Sequence, residues 1–170
     1  MNTENLKENI DLLHAGDKVI LSGVVYTARD AAHKKIKALI EEEKPIPFDL
    51  DGAVIYYAGP TPAPQGLPIG SCGPTTSSRM DAFAPLLLDN GMLAMIGKGD
   101  RDKSVYDAII RNKALYFSAI GGGGAIAAKS VIKAEVIAFE ELGCEAIRRL
   151  EIKDFPLILA IDSKGNSVYK

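Results

Sequence analysis

Hydrophobic and polar positions along the chain alternate between two periods. Residues 1–15 open as a short amphipathic stretch, with Leu6, Ile10 and Leu13 at helical spacing, and Gly16-Asp17 marks a turn. Lys18 to Thr27 is rich in β-branched residues (Val19, Ile20, Val24, Val25) and predicts a strand with a bend at Gly23. Over residues 30–43 the apolar positions Ala32, Ile36, Leu39 and Ile40 repeat on one helical face, and Pro45 and Pro47 stop that helix. Ala53 to Ala58 is a short apolar strand. A Pro- and Gly-dense loop, Gly59 to Pro74, follows it, long enough to suggest function and stiffened by its prolines.

The pattern then predicts a helix from Thr76 to Asn90 with Gly91 as a left-handed cap, a strand Met92–Ile96, a helix Asp102–Asn112 and a strand Leu115–Ile120. Four consecutive glycines, Gly121 to Gly124, lead into a short helical stretch, Ala125–Lys129. Val131–Phe139 reads as a strand, Leu142–Leu150 as short helical or irregular chain, and Pro156–Asp162 as a fully apolar strand. Ser163 to Asn166 reads as a hairpin turn into Ser167–Tyr169. Strands alternating with helices, closed by a strand pair, make an α/β protein with a mixed sheet. Neither an internal repeat nor a low-complexity tract interrupts it.

Composition narrows the function. The chain has 170 residues, 47% of them hydrophobic, and a formal charge of −2. That length suits a single domain with a sizeable core, with residues 1–15 as an N-terminal extension. The near-neutral balance offers no basic face for nucleic acid. No apolar run approaches the roughly 20 residues that span a bilayer, and the polar, acidic start resembles no targeting segment, so a cytoplasmic protein is expected. Cys72 and Cys144 are the only cysteines, too few for a disulfide framework or for an iron–sulfur cluster with its usual four or so thiolates. No metal site made by this chain alone is expected.

Candidate chemistry sits at strand-to-helix junctions. In Gly-Ser-Cys-Gly-Pro-Thr-Thr-Ser-Ser-Arg-Met-Asp81, hydroxyls and an arginine gather at a predicted helix start, where unpaired N–H groups favour an anion. If the helix includes Thr75, then Thr75 and Arg79 share a face and can hold a carboxylate together; otherwise Thr75 or Thr76 is a cap and Arg79 a surface residue. Lys98 lies beyond a buried strand, between two glycines, where open sheets bind ligands. The match of Gly91 to Lys98 to a P-loop fails, because the spacing is wrong, Gly99 stands where Ser or Thr is needed, and the interval is a strand. Arg29 opens the first long helix, one turn before His33, which reads as a partly exposed helix histidine. The glycine run suits either an anion-binding nest or close packing. If the three junctions share one edge, Arg29, Arg79 and Lys98 suit a small polyanion such as a dicarboxylate.

These segments, Thr-Ala-Arg-Asp-Ala-Ala-His-Lys, Gly-Pro-Thr-Thr-Ser-Ser-Arg-Met-Asp, Gly-Lys-Gly-Asp and the glycine run, occur in an order that resembles the β subunit of class I iron–sulfur hydro-lyases. This is the fumarate hydratase and L-tartrate dehydratase group, in whose single-chain members the equivalent is the C-terminal domain. The resemblance runs from about Lys18 to near the C-terminus and implies a swivelling β/β/α-type domain, its mixed sheet flanked by helices. It implies a catalytic threonine at Thr75 and substrate binding by Arg29, Thr75, Thr76, Arg79 and Lys98. It also implies a [4Fe–4S] cluster held by a partner α subunit, an α2β2 assembly with β–β self-association, and a dicarboxylate substrate. Fumarate–malate interconversion is the first expectation; tartrate dehydration, or a non-catalytic anion-binding module, is the alternative. The family motif carries Ala-Gly where this chain has Ser77-Ser78, which bears on substrate preference.

Overall fold

The computed structural model describes residues 1–119 and 124–169. Two 3-10 segments, Thr3–Asn5 and Lys7–Leu12, precede strand β1 (Lys18–Thr27) and helix α1 (Asp30–Glu41). Strand β2 (Val54–Tyr56) is followed by the long loop, a 3-10 turn at Ser77–Met80 and helix α2 (Ala84–Asp89). Then come β3 (Ala94–Gly97), α3 (Lys103–Asn112), β4 (Leu115–Ala119), α4 (Gly124–Ser130), β5 (Val131–Ala138), a 3-10 segment at Glu140–Glu145, and β6 (Ile147–Ile161).

Strands β1 to β4 lie side by side and parallel. The long β6 runs antiparallel to β1 along one edge and to β4 along the other, so the sheet returns on itself. β5 pairs along the first half of β6. The mixed α/β architecture is therefore as expected, with a closure that the hydrophobic pattern does not announce. Alternation along Ile147–Phe155 is broken, because the pairing slips against β5 at two places and against β1 at Gly23, and Asp154 takes a positive φ of 53°. A strand whose register slips by one residue loses its period of two. The expected short helical or irregular stretch 142–150 is helical only as the end of a 3-10 segment, and its remainder, from Ile147, joins the expected strand 156–162 in one 15-residue strand.

The sheet has an apolar layer on each face. Inside the closure pack Val19, Leu21, Val25, Tyr56, Ile96, Phe117, Leu150 and Leu157, together with Leu6, Ile10 and Leu13 from the N-terminal segment. Outside, Ile55, Met95 and Tyr116 meet Ala32 and Ile36 of α1, Leu87 and Leu88 of α2, and Ile109 of α3. No helix among the described residues is long and apolar enough to cross a membrane.

Two further expectations are revised. The helix Thr76–Asn90 is not continuous: a four-residue 3-10 turn and α2 are separated at Asp81–Phe83. Pro85 is the physical cause. A proline lacks the N–H that an interior helical position donates and clashes with the preceding turn, so it is accommodated in the first turn of a helix that starts anew. Gly91 does cap α2, with φ of 108° and Met92 N–H reaching back to the Leu87 carbonyl. At the C-terminus, Ser167 makes a single bridge to Ile161, so residues 167–169 form no strand. The turn itself is organised by the Asp162 carboxylate, which accepts from the Lys164 and Asn166 N–H groups. Of the glycine run, Gly121 to Gly123 and the expected strand end Ile120 lie outside the described residues; Gly124 passes close enough to Gly73 for its carbonyl to accept from the Cys72 N–H.

Candidate functional site

Because β1, β2 and β3 are parallel, their carboxyl ends emerge on one edge, and each delivers a candidate residue there. Arg29 follows β1 as the residue before α1. Thr75 is fixed beyond β2, its N–H donating to the Tyr57 carbonyl at 2.7 Å. Lys98 follows β3 and forms a parallel bridge with Thr76. Arg79 reaches α1, where its Nε and Nη2 donate to Asp30 Oδ2 at 3.1 and 3.0 Å. The three junctions therefore share one edge. Thr76, Arg79 and Lys98 are exposed on it, and Arg29 and Thr75 are half-buried.

Of the two readings of the Thr75–Arg79 stretch, the one with a shared helix face is not realised. Thr75 is not helical, so it does not share a helix face with Arg79; it lies in extended chain before the 3-10 turn. Thr76 occupies the cap position without a side-chain capping bond. Thr76 and Lys98 are brought together instead by strand-like pairing: Ser77 N–H donates to the Lys98 carbonyl at 2.9 Å and Lys98 N–H to Ser77 Oγ at 3.0 Å. Ser77 is buried beneath the ledge, its Oγ 2.8 Å from the Tyr116 hydroxyl, which donates to the Gly99 carbonyl at 2.7 Å. Gly97 makes this possible, since a Cβ there would lie 1.9 Å from Ser77 Oγ.

A second support was not visible in the sequence. Arg101, fully buried, donates from Nε to Asp81 Oδ1 at 2.7 Å and from Nη2 to the Tyr57 hydroxyl at 3.2 Å, and its guanidinium faces the Tyr57 and Tyr116 rings. Asp81 also accepts from the Asp102 N–H at 2.9 Å. Burial opposes the arginine's charge, but Tyr57 and Asp81 outweigh it, and its pKa is raised. This pair ties the turn carrying Arg79 to the loop carrying Lys98. The only signal in the sequence is an aspartate, Asp81, in an otherwise apolar stretch.

His33 departs from the expected partial exposure and is fully buried. Its Nδ1–H donates to the Arg29 carbonyl at 2.8 Å, and the ring packs beside Tyr57 and Phe83. Burial lowers its pKa to about 4, so it is neutral at pH 7. Around it lie the buried side-chain polar atoms that have no hydrogen-bond partner among the described residues: Arg29 Nε, Asp30 Oδ1, His33 Nε2 and Glu145 Oε1. Glu145 Oε1 faces Arg29 Nε at 3.8 Å.

The cysteines do not suit a cluster. Cys72 is buried and its thiol is pushed up to about 12 by burial, far from the thiolate that a metal requires, and Cys144 is exposed on the 3-10 segment before β6. Among the described residues no three His, Cys, Asp or Glu side chains come together to hold a metal ion.

A family model described as Fumarase C-terminus matches residues 1–170. Fumarate hydratase 2 of Leishmania major is 39% identical over 168 residues, which are 98% of this chain and 30% of that protein. The anaerobic class I fumarate hydratase of Escherichia coli K12 is 41% identical over 155 residues, 90% of this chain and 28% of the enzyme. A putative L(+)-tartrate dehydratase subunit beta of Methanocaldococcus jannaschii is 39% identical over 170 residues, 96% of this chain and 87% of that subunit. The chain thus spans under a third of the fumarate hydratases and most of the tartrate dehydratase subunit.

Proposed function

The chain belongs to the Fumarase C-terminus family, and on that premise we propose that it is the substrate-gripping β subunit of a cytoplasmic hydro-lyase acting on a four-carbon dicarboxylate. The observation that carries this reading is the ledge at the carboxyl ends of β1 to β3. There Arg29, Arg79 and Lys98 supply three cations, with Thr75 and Thr76 between them. Guanidinium groups match carboxylates in a planar, two-bond geometry, and a lysine adds a point charge. Fumarate hydration to (S)-malate is the reaction favoured by the fumarate hydratases among the relatives. Dehydration of L(+)-tartrate is the second reading, favoured by a relative whose whole length this chain nearly covers.

Within this reading the chain's residues have separate tasks. Arg29 and Arg79 hold the carboxylates and Lys98 adds charge beside Thr76. Thr75, held at the Tyr57 carbonyl, exchanges the proton next to a carboxylate. A hydroxyl is a weak base at neutral pH, and the surrounding cations favour its ionised form. The iron–sulfur cluster that the family resemblance implies does not fit this chain's two cysteines, so in this reading it is held by a partner α subunit. The exposed ledge is then closed over by that partner, in an α2β2 assembly.

The test is an anaerobic assay of the chain alone and of the complex purified with its partner, against fumarate, (S)-malate and both tartrates. The complex should be active and oxygen-sensitive and the chain alone inactive. Thr75→Ala in the complex should still bind substrate and lose most turnover. Near-normal turnover by that variant, or a cluster bound by this chain alone, would overturn the assignment.

A further inference from the structure

The two arginines of the ledge are each already facing an acid of this chain, and the two contacts differ in kind. Arg79 makes two hydrogen bonds to Asp30, at 3.0 and 3.1 Å. Arg29 and Glu145 stand 3.8 Å apart, and neither of the facing atoms, Nε and Oε1, has a hydrogen-bond partner among the described residues, although both are shielded from solvent. Settled pairs elsewhere in the molecule look different: Arg101 meets Asp81 at 2.7 Å, and Arg111 grips Asp89 with two bonds at 3.0 Å. A shielded guanidinium N–H and a shielded carboxylate oxygen normally find partners. Here the charges are balanced while the hydrogen-bonding capacity of both atoms is unused.

Both partners are held in place from behind. The Arg29 side chain runs against Gly59, where a Cβ would lie 3.0 Å from its Cδ and 3.2 Å from the Cys144 carbonyl. The segment carrying Glu145 is pinned by Arg148, whose guanidinium donates to the carbonyls of Gly143, Cys144 and Ala146. The Thr27 hydroxyl, which accepts from the Arg148 N–H, ties the same segment to the end of β1. Glu145 therefore approaches Arg29 without closing on it.

We infer that Glu145 is the internal counter-ion of Arg29, a carboxylate that neutralises the empty site and gives way to a carboxylate of the incoming substrate. The inference rests on the function proposed above. It makes Glu145 a specificity-determining residue: its charge opposes weakly bound anions and is outcompeted by a ligand that satisfies both arginines. The guanidinium exchanges one carboxylate for another, and no covalent bond changes.

The test uses the assembled complex and (S)-malate, or L(+)-tartrate if that is the substrate turned over. Glu145→Gln keeps the size of the side chain and removes its charge, and should lower KM roughly two- to fivefold. Glu145→Asp keeps the charge and should leave KM closer to the unaltered value than Glu145→Gln does. A merely structural role moves KM upward, because damage to the site cannot tighten binding. An unchanged or raised KM in a Glu145→Gln complex with an unaltered melting temperature overturns the inference. Arg29→Gln separates the two levels. If it weakens substrate binding while Glu145→Gln fails to tighten it, only the role of Glu145 falls; if it leaves binding untouched, the proposed grip by Arg29 falls as well.

Discussion

At the scale of single residues, the ledge rests on groups that do not themselves face solvent. Arg101 and Asp81 are both buried, and taking two charges out of water is tolerable only while they remain paired. Asp81→Ala leaves the guanidinium with the Tyr57 hydroxyl and Met95 Sδ as its hydrogen-bond partners among the described residues, and leaves the Asp102 N–H without its acceptor. It should cost roughly 3–5 kcal/mol in chemical denaturation. The double variant Asp81→Leu with Arg101→Met should recover a large part of that loss; a double variant as unstable as the single one would show that the charge is not the issue. His33 gives a pH signature. Its folded pKa of about 4 lies below the model-peptide value of 6.5, so the unfolded chain takes up the proton first. The stabilising contribution of the neutral ring is whole above pH 6.5 and is lost as pH falls toward 4. That window is worth roughly 3 kcal/mol. Unfolding free energies measured across it should fall less steeply in His33→Gln than in the unaltered protein.

At the scale of elements, legibility depended on whether an element's period survives its tertiary context. β1 is read to its exact ends because both of its faces are patterned by β-branched residues, and its bend at Gly23 is real: φ is 120°, and a Cβ there would lie 2.2 Å from Thr3 Oγ1. α1 and α3 are legible for the same reason, one apolar face each. The 76–90 stretch has helical spacing of apolar residues, but a proline divides it, and the proposed site residues Thr76 and Arg79 lie on the irregular side of that break. Arg29, Thr75, Arg79 and Lys98 were legible as a set because each falls at a junction; their common edge follows from parallel strands. What joins them was not legible, because Ser77, Tyr116, Asp81 and Arg101 interact over separations of 20 to 39 residues. The Ser77–Lys98 pairing makes a direct prediction. Gly97→Ala places a methyl group against Ser77 Oγ and 2.9 Å from the Tyr57 ring, forcing the 77–80 turn away from Lys98. The variant should lose about 1–3 kcal/mol of stability, and in the complex its substrate KM should rise. Adding Ser77→Gly, which clears the space, should restore part of the stability without restoring KM, since the Lys98 N–H has then lost its acceptor.

At the scale of the molecule, the decisive feature is that β6 pairs with both β1 and β4, which turns a sheet with two faces into a closed layer with an inside. A closed sheet must be filled, because side chains that point inward from all five strands cannot be covered by a helix on the outer face. Leu6, Ile10 and Leu13, residues that the linear pattern sets apart as a short amphipathic start, join that inner cluster. The Met1 ammonium and carbonyl bond to the backbone of Ile20 and Ser22, and the Thr3 hydroxyl accepts from the Val24 N–H, so the segment is fastened to β1 at its start. Leu6, with no exposed surface, is the deepest of the three. Replacing it with alanine removes a fully buried isopropyl group from a space that the surrounding strands cannot collapse to fill, and should cost about 2–5 kcal/mol. Exposed Leu12, 71% accessible on the same short segment, is the internal control, and its alanine variant should lie within about 0.5 kcal/mol of the unaltered protein. Urea denaturation of the two variants decides the matter: equal, small losses would mean that the N-terminal segment lies on the closed sheet without supporting it. Because the segment grips β1, whose far end delivers Arg29, the same experiment run on the complex should show Leu6→Ala losing activity with temperature well before Leu12→Ala does.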